Sequence, residues 1–366
     1  LRFSGFEDEW EKKKLGEIGE VKMCRRIFND ETSQIGDIPF FKIGSFGREA
    51  DAFISKELYS DYKTRFSFPK KGDILISAAG TIGRTVVYNG EDAYFQDSNI
   101  VWIDNDNINI TNEFLYYILQ IVKYNTEGGT IQRLYNNILK STRFSSPSIQ
   151  EQEKISSFLS LIDERIQTQN KIIEQLETLI KATSKKIFIQ KIRFKDSNGN
   201  DYPHWESKYV GDILNIGSGR DYKHLEKGDI PVFGTGGLMT YVDSFLNDGE
   251  TVCIGRKGTI DKPMYYDGKI WTVDTLFYTH SFQDCIPKFI FYLFQTINWL
   301  EYNEASGVPS LSKTTIEKIK VQTPSLEEQK VVSQFLNTID GKIQIEKATL
   351  EQLEMQKKYL LQQMFV

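Results

Sequence analysis

The chain has 366 residues, of which 40% are hydrophobic and 26% charged, with a formal net charge of −5. Single cores stop growing before this length, so two or three domains are expected, and no apolar run approaches a membrane span. The even charge balance excludes a polybasic arm: in any encounter with DNA, general phosphate attraction would not supply most of the affinity, and a few placed Lys and Arg, or a partner, must do so.

Cys24, Cys253 and Cys285 are odd in number and far apart, which fits a reducing cytoplasm better than a disulfide framework. His204, His224 and His280 have no spacing that would gather them with the cysteines around zinc, so no metal is expected. No signal peptide is visible at the first residues, and with the cysteine usage a cytoplasmic location is expected.

In chain order, residues 1–147 form a first domain. Trp10-Glu11 and Leu15-Gly16-Glu17-Ile18 open it, and Gly36-Asp37-Ile38-Pro39 follows. Asp73-Ile74-Leu75-Ile76 and Thr85-Val86-Val87-Tyr88 are β-rich runs joined through the glycine-bearing turn Gly80-Thr81-Ile82-Gly83-Arg84, which together read as a sheet edge with a helix near 112–124 packed on it. Gly128-Gly129-Thr130-Ile131-Gln132-Arg133 then leads toward Pro147; it suits either a phosphate clamp or a plain connection.

Residues 148–190 are predicted to be one long helix. Ser148 and Glu151 after Pro147 have the spacing of a capping box. From there Ile155, Leu159, Ile162, Ile166, Gln169, Ile173, Leu176, Ile180, Thr183 and Ile187 recur at alternating steps of four and three, a coiled-coil seam.

The pattern then repeats. Residues 191–324 carry Trp205-Glu206, Val210-Gly211-Asp212-Ile213 and Gly228-Asp229-Ile230-Pro231. The strand Thr251-Val252-Cys253-Ile254, the turn Gly258-Thr259-Ile260-Asp261-Lys262, the strand Pro263-Met264-Tyr265-Tyr266 and a helix near 286–302 come next. The loop 306–313 precedes a second long helix over 325–366, with Ser325 and Glu328 at its start and the seam Val332, Leu336, Ile339, Ile343, Glu346, Leu350, Leu353, Lys357, Leu360 and Met364.

Between the two helices the offset is constant, 325 − 148 = 177, and the match is gapless to Phe188 and Phe365. Ahead of them it falls from 205 − 10 = 195 through 228 − 36 = 192 to 249 − 72 = 177, so most of the length difference lies between residues 40 and 72. Gln169 and Glu346 share one seam position and suit a register device. Two such helices packed antiparallel would make a spacer with a domain near each end, and such spacing decides which separated half-sites paired DNA readers engage. The helices could instead serve as cores of their own domains.

The turns hold the side chains able to touch nucleic acid. In the first copy the candidates are Lys42, Arg48, Thr81, Arg84, Gln96, Ser98, Asn99 and Arg133; in the second, Thr235, Arg256, Lys257, Thr259, Lys262, Ser310 and Lys313. Gln and Asn suit adenine edges and Arg suits guanine, while the plainer reading of any one of them is a solvated turn. No catalytic constellation accompanies them: there is no phosphate-binding loop ending in Gly-Lys-Ser or Gly-Lys-Thr, no dinucleotide unit and no acid-prolyl-prolyl-aromatic turn.

The order of divergent domain, Pro-Ser-x-x-Glu-Gln helix, divergent domain and Pro-Ser-x-Glu-Glu-Gln helix resembles the specificity subunit of type I restriction-modification systems. The most specific marks are Glu151-Gln152 and Glu328-Gln329, the Gly-Thr-Ile turns at 80–82 and 258–260, and Trp10 and Trp205. Ser145-Ser146-Pro147 departs from the apolar approach usual before that helix. The resemblance implies an α+β chain with an internal pseudo-two-fold repeat. Target-recognition domains, each a mixed sheet plus helices, occupy 1–147 and 191–324, joined by antiparallel coiled-coil spacer helices at 148–190 and 325–366.

It further implies a non-catalytic chain whose partners are double-stranded DNA, two modification subunits that carry S-adenosylmethionine and methylate adenine N6, and restriction subunits that use ATP and Mg to cleave unmodified DNA. A coiled-coil adaptor bridging two protein partners is the rival reading. The charge balance yields an expected outcome of its own. Alone, the chain should bind duplex DNA weakly and with a shallow slope of log affinity against log salt in fluorescence anisotropy; a steep slope would contradict it.

Overall fold

The computed structural model describes residues 1–124 and 133–365, and the chain divides into two compact units, Leu1–Thr168 with Leu350–Val366, and Gln169–Thr349. Each is built on the same plan.

In the first unit an antiparallel four-stranded sheet runs in the order Gly19–Lys22, Ile100–Asn105, Ile74–Ser77, Thr85–Val87. All four residues of Ile74–Ser77 are buried, because both faces of the strand are covered. Ile74 and Ile76 alternate toward the helix Asn112–Ile121, meeting Phe114, Leu115 and Ile118. Leu75 points the other way, with Trp102 and Ile100, into a second core shared with Phe40, Ile54 and Tyr94 of a three-stranded mixed sheet. In that sheet Ile38–Phe41 is antiparallel to Phe53–Ile54 and parallel to Tyr94–Phe95. Period-two alternation thus feeds two cores at once.

The second unit repeats this topology. Its four-stranded sheet has the order Asn215–Ser218, Leu276–His280, Thr251–Gly255, Met264–Tyr266, and its mixed sheet the order Gly237–Val242, Ile230–Gly234, Trp271–Thr272. Val252 and Ile254 meet Phe289, Ile290 and Phe294 of the helix Pro287–Thr296, which starts with Pro at its first turn. In both units the strand after the glycine turn lies at the sheet edge. The helix expected near 286–302 is in fact two pieces, Pro287–Thr296 and a 3-10 turn Trp299–Tyr302. The break lets the Trp299 indole donate to the Phe294 carbonyl at 2.8 Å. The extra length of the first copy is largely the helix Lys56–Arg65, capped by Ser55, which has no counterpart in the second.

The long helices span Ile149–Phe188 and Leu326–Met364. In the first unit Ile155, Leu159 and Ile162 share a core with Leu361 and Met364, Ile166 and Leu360 pack against it, and Lys357 pairs with Asp163 at 2.6 Å. In the second, Gln169 donates to the Glu346 carbonyl at 3.1 Å and to its carboxylate, while the chain beyond Phe188 reaches Glu328 and Phe335 near the start of the other helix. Within each unit, therefore, the two helical segments run antiparallel. Ile173, Val332, Leu336 and Ile343 are buried, and Leu176, Ile339, Leu350 and Leu353 half-buried. The Glu346 carboxyl is held below its usual range, first by Lys342 and then by Gln169.

The start of each long helix is gripped the same way, and this corrects the expected capping boxes. Glu328 N does reach Ser325 Oγ, at 3.4 Å, but the glutamates take arginine instead of closing a reciprocal box. Arg2 donates Nε and Nη2 to Glu151, both at 2.7 Å, and Arg193 donates the same pair to Glu328, both at 2.8 Å. Phe3 and Phe194, the next residues, meet Phe158 and Phe335 at 5.7 and 5.3 Å.

The adjacent glutamines are equally matched. Gln152 Oε1 accepts from Thr111 N at 3.0 Å while its amide donates to the Asn109 and Pro147 carbonyls. Gln329 Oε1 accepts from Ile286 N at 2.9 Å while its amide donates to the Asp284 and Pro324 carbonyls. Each Glu-Gln pair thus ties a long helix to an incoming arm, to the start of the domain's short helix and to the proline before it.

Glu328 is fully buried and Arg193 only a quarter exposed, so removing the cation leaves a buried carboxylate without its charge partner. Arg193→Ala should cost about 3–5 kcal/mol locally, read as lost hydrogen-exchange protection at 326–333, and adding Glu328→Gln should recover part of it. Unchanged protection in Arg193→Ala would contradict the assignment.

Candidate nucleic-acid interface

In the first unit four stretches converge at the glycine turn. Gly80 and Gly83 have φ of 65° and 80°, the left-handed region open to glycine. Ser77 Oγ accepts from Arg84 N at 2.8 Å and donates to the Thr81 carbonyl, closing the turn. Ala78 N donates to the Asn99 carbonyl at 2.7 Å and Leu134 N to the Ala78 carbonyl at 2.8 Å, with Arg133 bridged to Ala79. Ile43 N donates to Gln96 Oε1 at 3.0 Å, and Arg84 Nη1 to the Phe46 carbonyl at 2.9 Å. The result is a cleft of about 280 Å³ lined by Ile43, Gly44, Phe46, Arg48, Ser77, Gly80, Thr81 and Arg84.

The second unit builds the same junction from counterpart residues. Arg256 N donates to the Thr275 carbonyl at 2.8 Å, Gly258 N to the Pro309 carbonyl at 2.9 Å and Leu311 N to the Arg256 carbonyl at 2.9 Å, while Lys257 is bridged to Ser310. Gly258, with φ of 87°, lies beside Thr235, whose hydroxyl would be 3.6 Å from a Cβ placed on the glycine. Gly255 is there for closeness: a Cβ would fall 2.0 Å from the Thr259 carbonyl oxygen.

These junctions sort the candidates. Arg48, Thr81 and Arg133 are exposed around the first turn, and Arg256 and Lys257 around the second, with Thr235 and Ser310 half-exposed beside them. Arg84 and Gln96 are committed in part to holding the 42–48 loop, and Lys42 and Asn99 are half-buried, their backbone groups bonded to Ser45 Oγ and to Ala78 N. Ser98, at φ 58°, donates its hydroxyl to Asp97, which also binds Arg26 at 2.8 Å.

Lys262 stands apart. It lines a groove with Lys181, Lys185, Phe188 and Lys320 beside the long helix. Lys313 lies 3.6 Å from Glu317; its charge, after burial, lowers the pKa of His280. Residues 128–132 fall outside the described residues.

Sequence reasoning missed Arg25 and Arg26, the former 5.3 Å over the Phe66 ring and the latter on Asp97 beside Ser98. Their adjacency in a polar stretch was the available signal. It also missed the hairpin strand Gly237–Val242, where Leu238, Met239 and Tyr241 are each about half exposed next to the Thr235 tip. Among the described residues no group of three or more His, Cys, Asp or Glu could hold a metal ion, and no helix is long and apolar enough to cross a membrane.

Paired, repeated domains presenting glycine turns and cations ahead of long helices define a class, and the comparisons agree with it. Residues 7–178 and 202–355 match the family model of the type I restriction modification DNA specificity domain, and the chain belongs to that family. A Haemophilus influenzae protein provisionally named a type I restriction enzyme specificity subunit is 52% identical over 173 residues, 47% of this chain and 44% of that protein, so this chain matches less than half of that relative's length. The type I restriction enzyme MjaVIII specificity subunit of Methanocaldococcus jannaschii is 25% identical over 72% of each chain. The crystal structure of the type I restriction-modification S subunit from M. genitalium shares the fold, with a TM-score of 0.63 over 100% of this chain and 97% of that one, at 20% identity.

Proposed function

We propose that this chain is the DNA-reading component of a type I restriction-modification complex and performs none of its chemistry. Each unit reads one half of a split DNA target through its glycine-turn junction. The long helices set the separation of the halves and dock two modification subunits, which bring S-adenosylmethionine and methylate adenine N6; restriction subunits using ATP and Mg join to cleave unmodified DNA.

The observation that carries this reading is the matched pair of junctions, in which equivalent backbone bonds hold different exposed side chains: Arg48, Thr81 and Arg133 in one, Arg256 and Lys257, beside the half-exposed Thr235, in the other. A shared frame with divergent tips suits two readers of unlike sequence. Docking is supported by large apolar side chains exposed on the long helices, Leu161, Met355 and Tyr359 in the first unit and Leu179 and Ile345 in the second. The adaptor alternative has no comparable observation and is decided by the same experiment: the chain with its modification partner should retain one duplex sequence over others.

Arg48→Ala and Lys257→Ala should each weaken recognition of a single half-site by about 1–3 kcal/mol, mapped as loss of methylation in one half. Loss in both halves from either substitution would count against independent readers. A second outcome concerns the helices. Inserting one heptad into each, in phase with the seam, should change the number of unread base pairs between the halves and leave both half-sequences intact; an unchanged separation would rule out the spacer role.

A further inference from the structure

The first unit contains a groove of about 960 Å³ between the helix Asn112–Ile121 and the opening turns of Ile149–Phe188. Tyr116 and Tyr117 line it, Tyr117 donating its hydroxyl to Asp163 at 2.9 Å, and Asp163 also binds Lys357. Its rim carries three exposed carboxylates, Glu113, Glu153 and Glu164.

The second unit has the same two helices, aligned by the matching bonds from Thr111 N to Gln152 and from Ile286 N to Gln329. The rim positions there are Lys288 (288 − 113 = 175), Lys330 (330 − 153 = 177) and Gly341 (341 − 164 = 177). Three negative charges are thus replaced by two positive ones. Val87, at the edge of the first groove, corresponds to Tyr265, and Lys288 Nζ lies 3.9 Å from the centre of that ring and 5.3 Å from Phe291. Asp163 has Lys357 opposite it in the first unit; the matching position of the second is Ile180 (357 − 177 = 180), and the charge of Asp340 acts on Lys288 instead.

We infer that the groove of the first unit docks a lysine- or arginine-bearing helix of the modification subunit, and that the inverted rim of the second unit disfavours the same helix, so that two copies of one subunit load unequally, the first unit first. The inference rests on the docking proposed above. Charge complementarity selects the occupant: Lys357 of the chain itself already lies 5.9 and 5.8 Å over the Tyr116 and Tyr117 rings, the three exposed carboxylates attract further Lys and Arg, and like charges at Lys288 and Lys330 oppose them.

The test titrates the modification subunit into the full chain and follows the 1:1 and 1:2 complexes by native mass spectrometry. The two stepwise constants should differ by roughly tenfold beyond the statistical factor for identical sites. A photo-crosslinker on Ser160→Cys should capture the first subunit before one on Asn337→Cys does. Glu113→Lys with Glu153→Lys should weaken the first step by roughly tenfold and bring the constants together.

If that variant does not fold, salt serves instead: raising it should weaken the first step of the unsubstituted chain more than the second. Constants separated only statistically, first capture at position 337, equal salt response, or a first step tightened by the lysines would each overturn the inference while leaving docking intact. Absence of any complex would overturn docking itself.

Discussion

The buried Glu-Gln pair at the start of each long helix is the constraint on which the remaining structure depends. A carboxylate as enclosed as Glu151 or Glu328 is tolerable only with its charge met, and the bidentate guanidinium of Arg2 or Arg193 meets it. That requirement fixes where the arm before each domain lies. The neighbouring glutamine, with both ends of its amide used, fixes the short helix and the proline before the long helix against the same turn. From that anchored corner the sheet, its edge strand and the glycine turn follow as a body.

Symmetry in the chain stops where function would need it to stop. The Arg-Glu and Gln anchors, the sheet orders and the backbone bonds of the turn junctions are repeated, while the exposed side chains at the turns and along the groove rims differ. Backbone bonds tolerate such divergence because they do not depend on which side chain projects from them. A duplicated frame could therefore vary at the turns without losing either core.

The helix pair shows how a physical effect changes sign with environment. Gln169 and Glu346 occupy one seam position and bond to each other, so a polar pair that weakens an apolar seam also specifies its register. Lys357, which in sequence looks like a break in the second seam, instead satisfies Asp163 across the helices. Its counterpart Ile180 continues the apolar pattern, and this one exchange already makes the two units electrostatically unlike.

The sequence by itself determined the duplication, the long helices, the edge strands around Gly80 and Gly258, and the absence of familiar catalytic motifs, because periodicity, proline and glycine act over a few residues and survive without tertiary context. It also contained the paired Arg-Phe dipeptides at Arg2 and Arg193, unread because their partners, Glu151 and Glu328, lie far along the chain. Only the tertiary structure decided that those glutamates take arginines and not their own helix ends, that Arg84 holds the Phe46 carbonyl, that Lys262 leaves the turn for the long helix, and that Glu113 rims a groove while its counterpart Lys288 lies against the Tyr265 ring. Each of these depends on which distant side chain reaches a buried or partly enclosed polar group, a matter settled by packing and desolvation and invisible to local pattern.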